Sequence, residues 1–309
     1  MNEELQNEGN ELALKTVDLN KFYGGKKIID SLNLSIKRGS IYALIGKNGA
    51  GKTTIMRLIF GLASPSSGSI QFLDESISKD RKKMSGVIES PALYPNLCAE
   101  SNIKCQCYAL GVKNPKKVCK ELLDLVNLAD SGKKKVKDFS LGMKQRLAIA
   151  VALVGDPSFL LLDEPINGLD PQGIREVREL ILKLNKERNV TVVISSHILG
   201  ELYKVATDYG VICSGKLVKE FSKEELESSA ESCIRLRVND TAKALELIST
   251  ELNINNYKMD GSEICIYGNA SSSEINELLV KNDLIIESIA AQAGDYEDYF
   301  IKLMEGDLK

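Results

Sequence analysis

Two short segments carry residue types that could do chemistry on a phosphorylated nucleotide. The first, Gly46-Lys47-Asn48-Gly49-Ala50-Gly51-Lys52-Thr53-Thr54, holds the spacing G-x-x-x-x-G-K-[ST] between an apolar run and a helical pattern. Glycines let a backbone wrap closely enough for its N–H groups to converge on oxygen, and a helix beginning there adds partial positive charge. In such a loop Lys52 reaches the β- and γ-phosphates of a nucleoside triphosphate, and the Thr53 hydroxyl is a hard oxygen ligand suited to Mg²⁺. The full motif in this context outweighs a simple glycine-rich turn before a helix. The second segment, "FLLLDEP" at 159–165, is an apolar strand ending in two carboxylates. Asp163 can hold Mg²⁺ through water, and Glu164 is placed to polarise an attacking water. The loop alone leaves GTPase, kinase, helicase and transporter ATPase open; the second carboxylate is one a GTPase would not need.

These segments require a frame. "LALKTVDL", "KKIID", "LNLSI" and "IYALIG" read as strands, Thr53 to Leu62 as a helix, and "IQFL" at 70–73 as a short strand after the turn "SPSSG". Helical spacing governs about 98–131, where Leu122, Leu123, Leu125, Val126 and Leu128 recur. A helix at 142–155, a buried strand "SFLLLD", a helix at 172–187, a strand "VTVVISS" and a helix at 198–206 follow. Strands alternating with helices predict a parallel α/β sheet. Near 222 the character changes: "KEELESSAES" is polar and reads as a linker helix. After it "IRLRV", "TAKALELIS", "NNYKM", "EICIY", "SEINELLV" and "IIESI" run in βαββαβ order, which predicts a small ferredoxin-like domain. Ser271 followed by Glu274 reads as a capping box. The expected organisation is a disordered tail at 1–11, a nucleotide-binding domain at 12–221 with a helical subdomain at about 90–145, a linker at 222–231, and a small α+β domain at 232–309.

The formal net charge of −3 gives no basic stripe for nucleic acid. The longest uninterrupted apolar stretch, Leu147 to Val154, is far shorter than the roughly 20 residues that span a bilayer. The polar, acidic "MNEELQNEGN" start has no signal-peptide pattern. The expected location is therefore the cytoplasm, with any membrane work done through a partner. The seven cysteines (Cys98, Cys105, Cys107, Cys119, Cys213, Cys233 and Cys265) match neither a zinc site nor a disulfide framework and are read as reduced thiols.

Further segments carry a family resemblance. "DFSLGMKQRLAIAVAL" at 138–153 resembles the signature of the ATP-binding cassette (ABC) family, usually written L-S-G-G-Q. Ser140 and Gly142 stand at matching positions; Leu141 replaces the first glycine and Met143 the glutamine. "NGLD" at 167–170 resembles the segment that meets its counterpart across the dimer, with Asp170 its acid. His197 in "SSH", the one histidine of the chain, looks like the switch histidine that holds the γ-phosphate, and Tyr23 in "KFYGG" resembles the aromatic that stacks on adenine.

The resemblance implies a P-loop NTPase fold with an antiparallel β subdomain and a helical subdomain. It also implies a homodimer that sandwiches two ATP molecules, each touching the phosphate loop of one chain and Ser140, Gly142 and Asp170 of the other. Glu89, in "GVIESPALYPNLCAESN", stands where most cassettes carry a glutamine that touches the metal or the attacking water and senses the membrane partner. That stretch, with "DYEDYFIKL" at 295–303, resembles the ATPases of lantibiotic-immunity and bacitracin-resistance exporters. The implied protein is an ATP- and Mg²⁺-dependent ATPase on the inner face of the cell membrane, held by separate permease subunits that handle a peptide antibiotic. The alternatives are an exporter ATPase for a drug, lipid or polysaccharide, and a soluble ABC regulator of ribosomes.

Overall fold

The computed structural model describes residues 12–74, 83–89, 91–229, 233–261, 263–267, 271–292, 299–300 and 303–304. The chain divides into two compact units, Met1–Lys223 with Leu303–Lys309, and Glu224–Lys302. The tail expected at 1–11 lies outside the described residues. So do 230–232 of the expected linker and, apart from 299–300 and 303, the "DYEDYFIKL" stretch at 295–303.

In chain order the first unit begins with β1 (Leu12–Tyr23), β2 (Lys26–Leu32), β3 (Ser35–Lys37), β4 (Ile41–Ile45), α1 (Lys52–Phe60), β5 (Ser67–Phe72) and β6 (Met84–Val87). It continues through α2 (Ala99–Leu110), α3 (Pro115–Leu125), α4 (Leu141–Ala152), β7 (Phe159–Asp163) and α5 (Pro171–Arg188). β8 (Thr191–Ser196), α6 (Leu199–Tyr203), β9 (Asp208–Cys213) and β10 (Lys216–Ser222) complete it, and α7 (Lys223–Ser229) opens the second unit from Glu224.

β1 pairs antiparallel with β2, β3 and β5, giving the expected antiparallel subdomain. The central sheet has the order β10-β9-β4-β8-β7-β6; the run from β9 to β6 is parallel and β10 adds an antiparallel edge. β4, β7 and β8 are buried at every position, which is why their apolar residues run consecutively rather than alternating with exposed polar ones. β6, β9 and β10 were not anticipated from sequence, and α6 is shorter than the expected 198–206 helix.

α5 shows how local sequence sets an element. The Asp170 carboxylate accepts a hydrogen bond from the Gly173 N–H, Pro171 occupies the first turn, and Asn189 ends the helix in the left-handed region. Val177, Leu180, Ile181 and Leu184 recur at helical spacing and bury one face.

The second unit holds β11 (Cys233–Val238), α8 (Thr241–Glu251), β12 (Tyr257–Asp260), β13 (Glu263–Tyr267), α9 (Ser272–Lys281) and β14 (Ile286–Gln292). Its antiparallel sheet has the order β12-β13-β11-β14, the ferredoxin-like arrangement expected from sequence. Leu236, Ile248, Ile264, Ile275 and Leu279 fill a core of its own, each burial stabilising by about 1.5–3 kcal/mol. Ser271 and Glu274 form the expected capping box.

Candidate functional site

Three neighbouring strands, in the order β4-β8-β7, end at one edge of the central sheet. The crevice outside the carboxyl ends of parallel strands is where such sheets bind ligands. β4 delivers the phosphate loop. A Cβ on Gly46 would meet the Ile212 carbonyl oxygen at 2.4 Å, so only glycine lets the loop pass that close to β9. Gly51 adopts φ 108° as it caps α1, a conformation glycine reaches without a Cβ penalty. α1 has no acidic residue in its first turn to compete for an anion.

Lys52 is 6% exposed; its ammonium donates to the Gly46 carbonyl at 2.7 Å and lies 3.5 Å from Glu164 Oε1. Asp163, at the end of β7, is also buried, and both its oxygens are engaged: Thr53 Oγ1 donates to Oδ2 at 2.8 Å and Ser195 Oγ donates to Oδ1 at 2.5 Å. Strand register places Asp163 beside Ser195. The same Ser195 hydroxyl accepts the Glu164 N–H at 2.9 Å. Glu164 has φ 48°, a left-handed conformation that costs a side-chain-bearing residue about 1 kcal/mol or more and redirects the chain as it leaves β7. Its Oε2 lies 2.9 Å from His197 Nδ1, so the carboxylate sits between an ammonium and an imidazole. Asn48, Lys52, Thr53, Glu164, Asn167 and His197 line a cavity of about 260 Å³.

Ser140, Gly142 and Asp170 form a separate cluster on the surface of the same unit. Ser140 Oγ caps α4 by accepting the Met143 N–H at 3.2 Å. A Cβ on Gly142 would lie 3.7 Å from Gly173 Cα, and one on Gly168 would lie 3.3 Å from a methyl of the half-exposed Leu141, so the start of α4 packs on the start of α5. Buried Arg146 fixes that geometry. It donates to the Val126 and Asn127 carbonyls at 2.6 and 2.9 Å and ion-pairs with Glu176 of α5 at 3.2 Å.

Two expected site residues stand apart from both clusters. Tyr23, at the end of β1, is 44% exposed, with the Lys21 ammonium 4.7 Å from its ring centre. Glu89 follows β6 with φ 67° and forms an ion pair with Arg57 of α1; it is not among the residues lining the cavity. Sequence reasoning missed Ser195, Asn167 and Arg57. A hydroxyl at the end of a buried strand beside the Asp163 strand was the signal for Ser195.

The cysteines are free thiols, and no His, Cys, Asp and Glu cluster that could hold a metal occurs among the described residues. Burial pushes the Cys119 thiol up to about 11, which disfavours the reactive thiolate.

Fold and site define a phosphate-loop ATPase cassette. The family pattern described as "ABC transporter" matches residues 29–167. The chain is 42% identical over 300 residues to the uncharacterized ABC transporter ATP-binding protein YcbN of Bacillus subtilis (strain 168), covering 95% of this chain and 97% of that one. It is 40% identical over 299 residues to the bacitracin transport ATP-binding protein BcrA of Bacillus licheniformis, again covering 95% and 97%. Over 208 residues it is 47% identical to the lantibiotic transport ATP-binding protein SrtF of Streptococcus pyogenes, covering 67% and 90%. Among solved structures, a dimeric post-hydrolysis state of the cassette MJ0796 bound to ADP and phosphate superposes with TM-score 0.60 at 26% identity, covering 68% of this chain and 98% of that one. The chain belongs to the ATP-binding proteins of ABC transporters and is an ATPase. No helix among the described residues is long and apolar enough to cross a membrane.

Proposed function

We propose that two copies of this chain close face to face on ATP and Mg²⁺ and drive separate membrane permease subunits that export a bacitracin- or lantibiotic-like peptide antibiotic. The observation that carries the cargo assignment is kinship over both units: the match to the bacitracin transport protein takes in 95% of this chain, well beyond the cassette alone.

Roles within the site follow from chemistry. Lys52 and the loop amides bind phosphate. The Thr53 hydroxyl and the Asp163 carboxylate, 2.8 Å apart, are a hard-oxygen pair that fits Mg²⁺, which would neutralise phosphate charge when bound. Glu164 orients water and accepts its proton, and the Lys52 ammonium 3.5 Å away holds the carboxylate in place for that task. His197 holds Glu164 in place and is positioned to reach a γ-phosphate. Ser140 and the amides opening α4 form an outward-facing anion site, which the phosphates of a second copy would complete. Tyr23, exposed at the hairpin, offers an adenine a face to stack on.

A groove of about 290 Å³, lined by Phe60, Leu62, Ile88, Leu93, Gln106 and Val151, lies among α1, the loop after β6, α2 and α4. With Leu62 of its lining 63% exposed, it suits an apolar permease segment at the inner face of the membrane. The test is growth of a strain with and without the gene on bacitracin and on a nisin-type lantibiotic. The reading expects sensitivity on deletion, rescued by the wild-type gene but not by Glu164→Gln. Unchanged sensitivity to both compounds would assign the transporter to another cargo.

A further inference from the structure

A second cavity adjoins the phosphate loop. Lys47, Asn48, Gly49, Cys213, Ser214 and Met304 are among the residues lining its volume of about 160 Å³. Asn48 and Gly49 also line the nucleotide cavity, so the leading stretch of the loop is a partition between the two spaces. That partition is pinned at its ends and loose in the middle. A Cβ on Gly46 would strike the Ile212 carbonyl oxygen, and the Ala50 carbonyl accepts the Gly215 N–H at 2.9 Å, so β9 and the turn after it hold both ends. Between them Gly49, at φ 82°, has no atom within 4 Å of where a Cβ would stand. Protein interiors are close-packed, and groups that border a void lose the contacts that would fix them. The stretch that presents its N–H groups to phosphate therefore has room to withdraw from it.

Met304 limits that room. The chain leaves the first unit after Lys223 and rejoins it at Leu303. Leu303 is buried, and Met304 beside it is half-buried. The Met304 carbonyl accepts a hydrogen bond from Cys213 Sγ at 3.6 Å, which ties the returning chain to the end of β9. Its position places it in the wall of the second cavity, and it is not among the residues lining the nucleotide cavity. An unbranched thioether adapts to an irregular gap and makes no polar demand on it. It is a suitable stop for a glycine-containing loop that has few packing contacts of its own.

We propose that Met304 is a positioning residue for ATP binding: it walls the second cavity and restricts Lys47–Ala50 to the shape that receives phosphate. The effect belongs to the nucleotide-free protein, because bound phosphate holds the loop by itself. It does not depend on the cargo or on the permease.

The test compares the purified full chain with its Met304→Ala and Met304→Leu variants. A ligand's apparent affinity falls by the factor by which the receptive population falls. Met304→Ala should raise the Kd for ATP about fivefold in calorimetry with Mg²⁺ withheld, and backbone hydrogen exchange of residues 46–51 without nucleotide should quicken by a similar factor. Turnover at saturating ATP and Mg²⁺ should stay within about twofold of wild type, since only binding is lost. Met304→Leu conserves volume and should restore both affinity and exchange. Cys213→Ala removes the donor to the Met304 carbonyl and should raise the Kd about twofold, whereas Cys213→Ser keeps a donor and should not; this pair decides the matter if Met304→Ala does not fold. Wild-type affinity in Met304→Ala would overturn the proposal. So would a loss of affinity with unchanged exchange, a fall in saturated turnover as large as the loss of affinity, or equal affinities in the two Cys213 variants.

Discussion

The phosphate-loop region and the α4–α5 surface sit in the same unit but are built on opposite principles. In the first, polar groups are buried and answer one another: Lys52 with Gly46 and Glu164, Asp163 with Thr53 and Ser195, Glu164 with His197. In the second, Ser140 and Asp170 are exposed and spend their side-chain oxygens on capping their own helices. The first is preorganised for an anion within one chain. The second presents helix starts to solvent, held in shape by Arg146, whose buried guanidinium is spent on two backbone carbonyls and on Glu176. The difference teaches that the phosphate loop is a complete anion cradle within one chain, whereas the Ser140 surface is open, as the proposed closure on a second copy requires.

Substitutions should separate the two regions. Lys52→Ala removes the buried ammonium and should reduce ATP turnover by about 10³-fold, with weakened nucleotide binding seen by titration calorimetry. Glu164→Gln should reduce turnover by about 10²- to 10³-fold while retaining ATP affinity, because a proton acceptor is lost but the phosphate ligands remain. A variant that binds poorly would break the distinction between binding and water activation.

Ser140→Ala should lower turnover by about tenfold and leave the affinity of the isolated subunit for ATP unchanged. An equal loss of affinity would place Ser140 in the same site as Lys52 and erase the comparison. Ser195→Ala leaves buried Asp163 Oδ1 short of a donor and should cost about 1–3 kcal/mol of stability, measured by denaturant unfolding. Ser140→Ala should leave that stability within about 1 kcal/mol, since an exposed cap contributes less.

How much was legible depended on burial and on local motifs. The phosphate loop, Asp163 and Glu164 were readable because glycines, a lysine and two acids cluster at the ends of fully apolar strands. β6 was not readable: "MSGV" has neither length nor alternation, and it becomes a strand only by pairing in parallel with β7. β9 and β10 carried a signal that was overlooked. Ser214 and Gly215 both have positive φ (47° and 80°) and form the two-residue hairpin turn between them. Glu89 was singled out from sequence, but Arg57 was not, because only the fold brings residues so far apart in the chain into contact. Ser195 escaped notice because a serine inside a buried strand reads as core until its neighbour across the sheet is known to be Asp163.

The most direct test of the account is the mass of the Glu164→Gln protein in saturating ATP and Mg²⁺, measured by sedimentation or light scattering, with the permease subunits added if needed. The account predicts a dimer that dissociates when nucleotide is removed and that does not form when Ser140 is also changed to arginine. A strictly monomeric species under all of these conditions would contradict it.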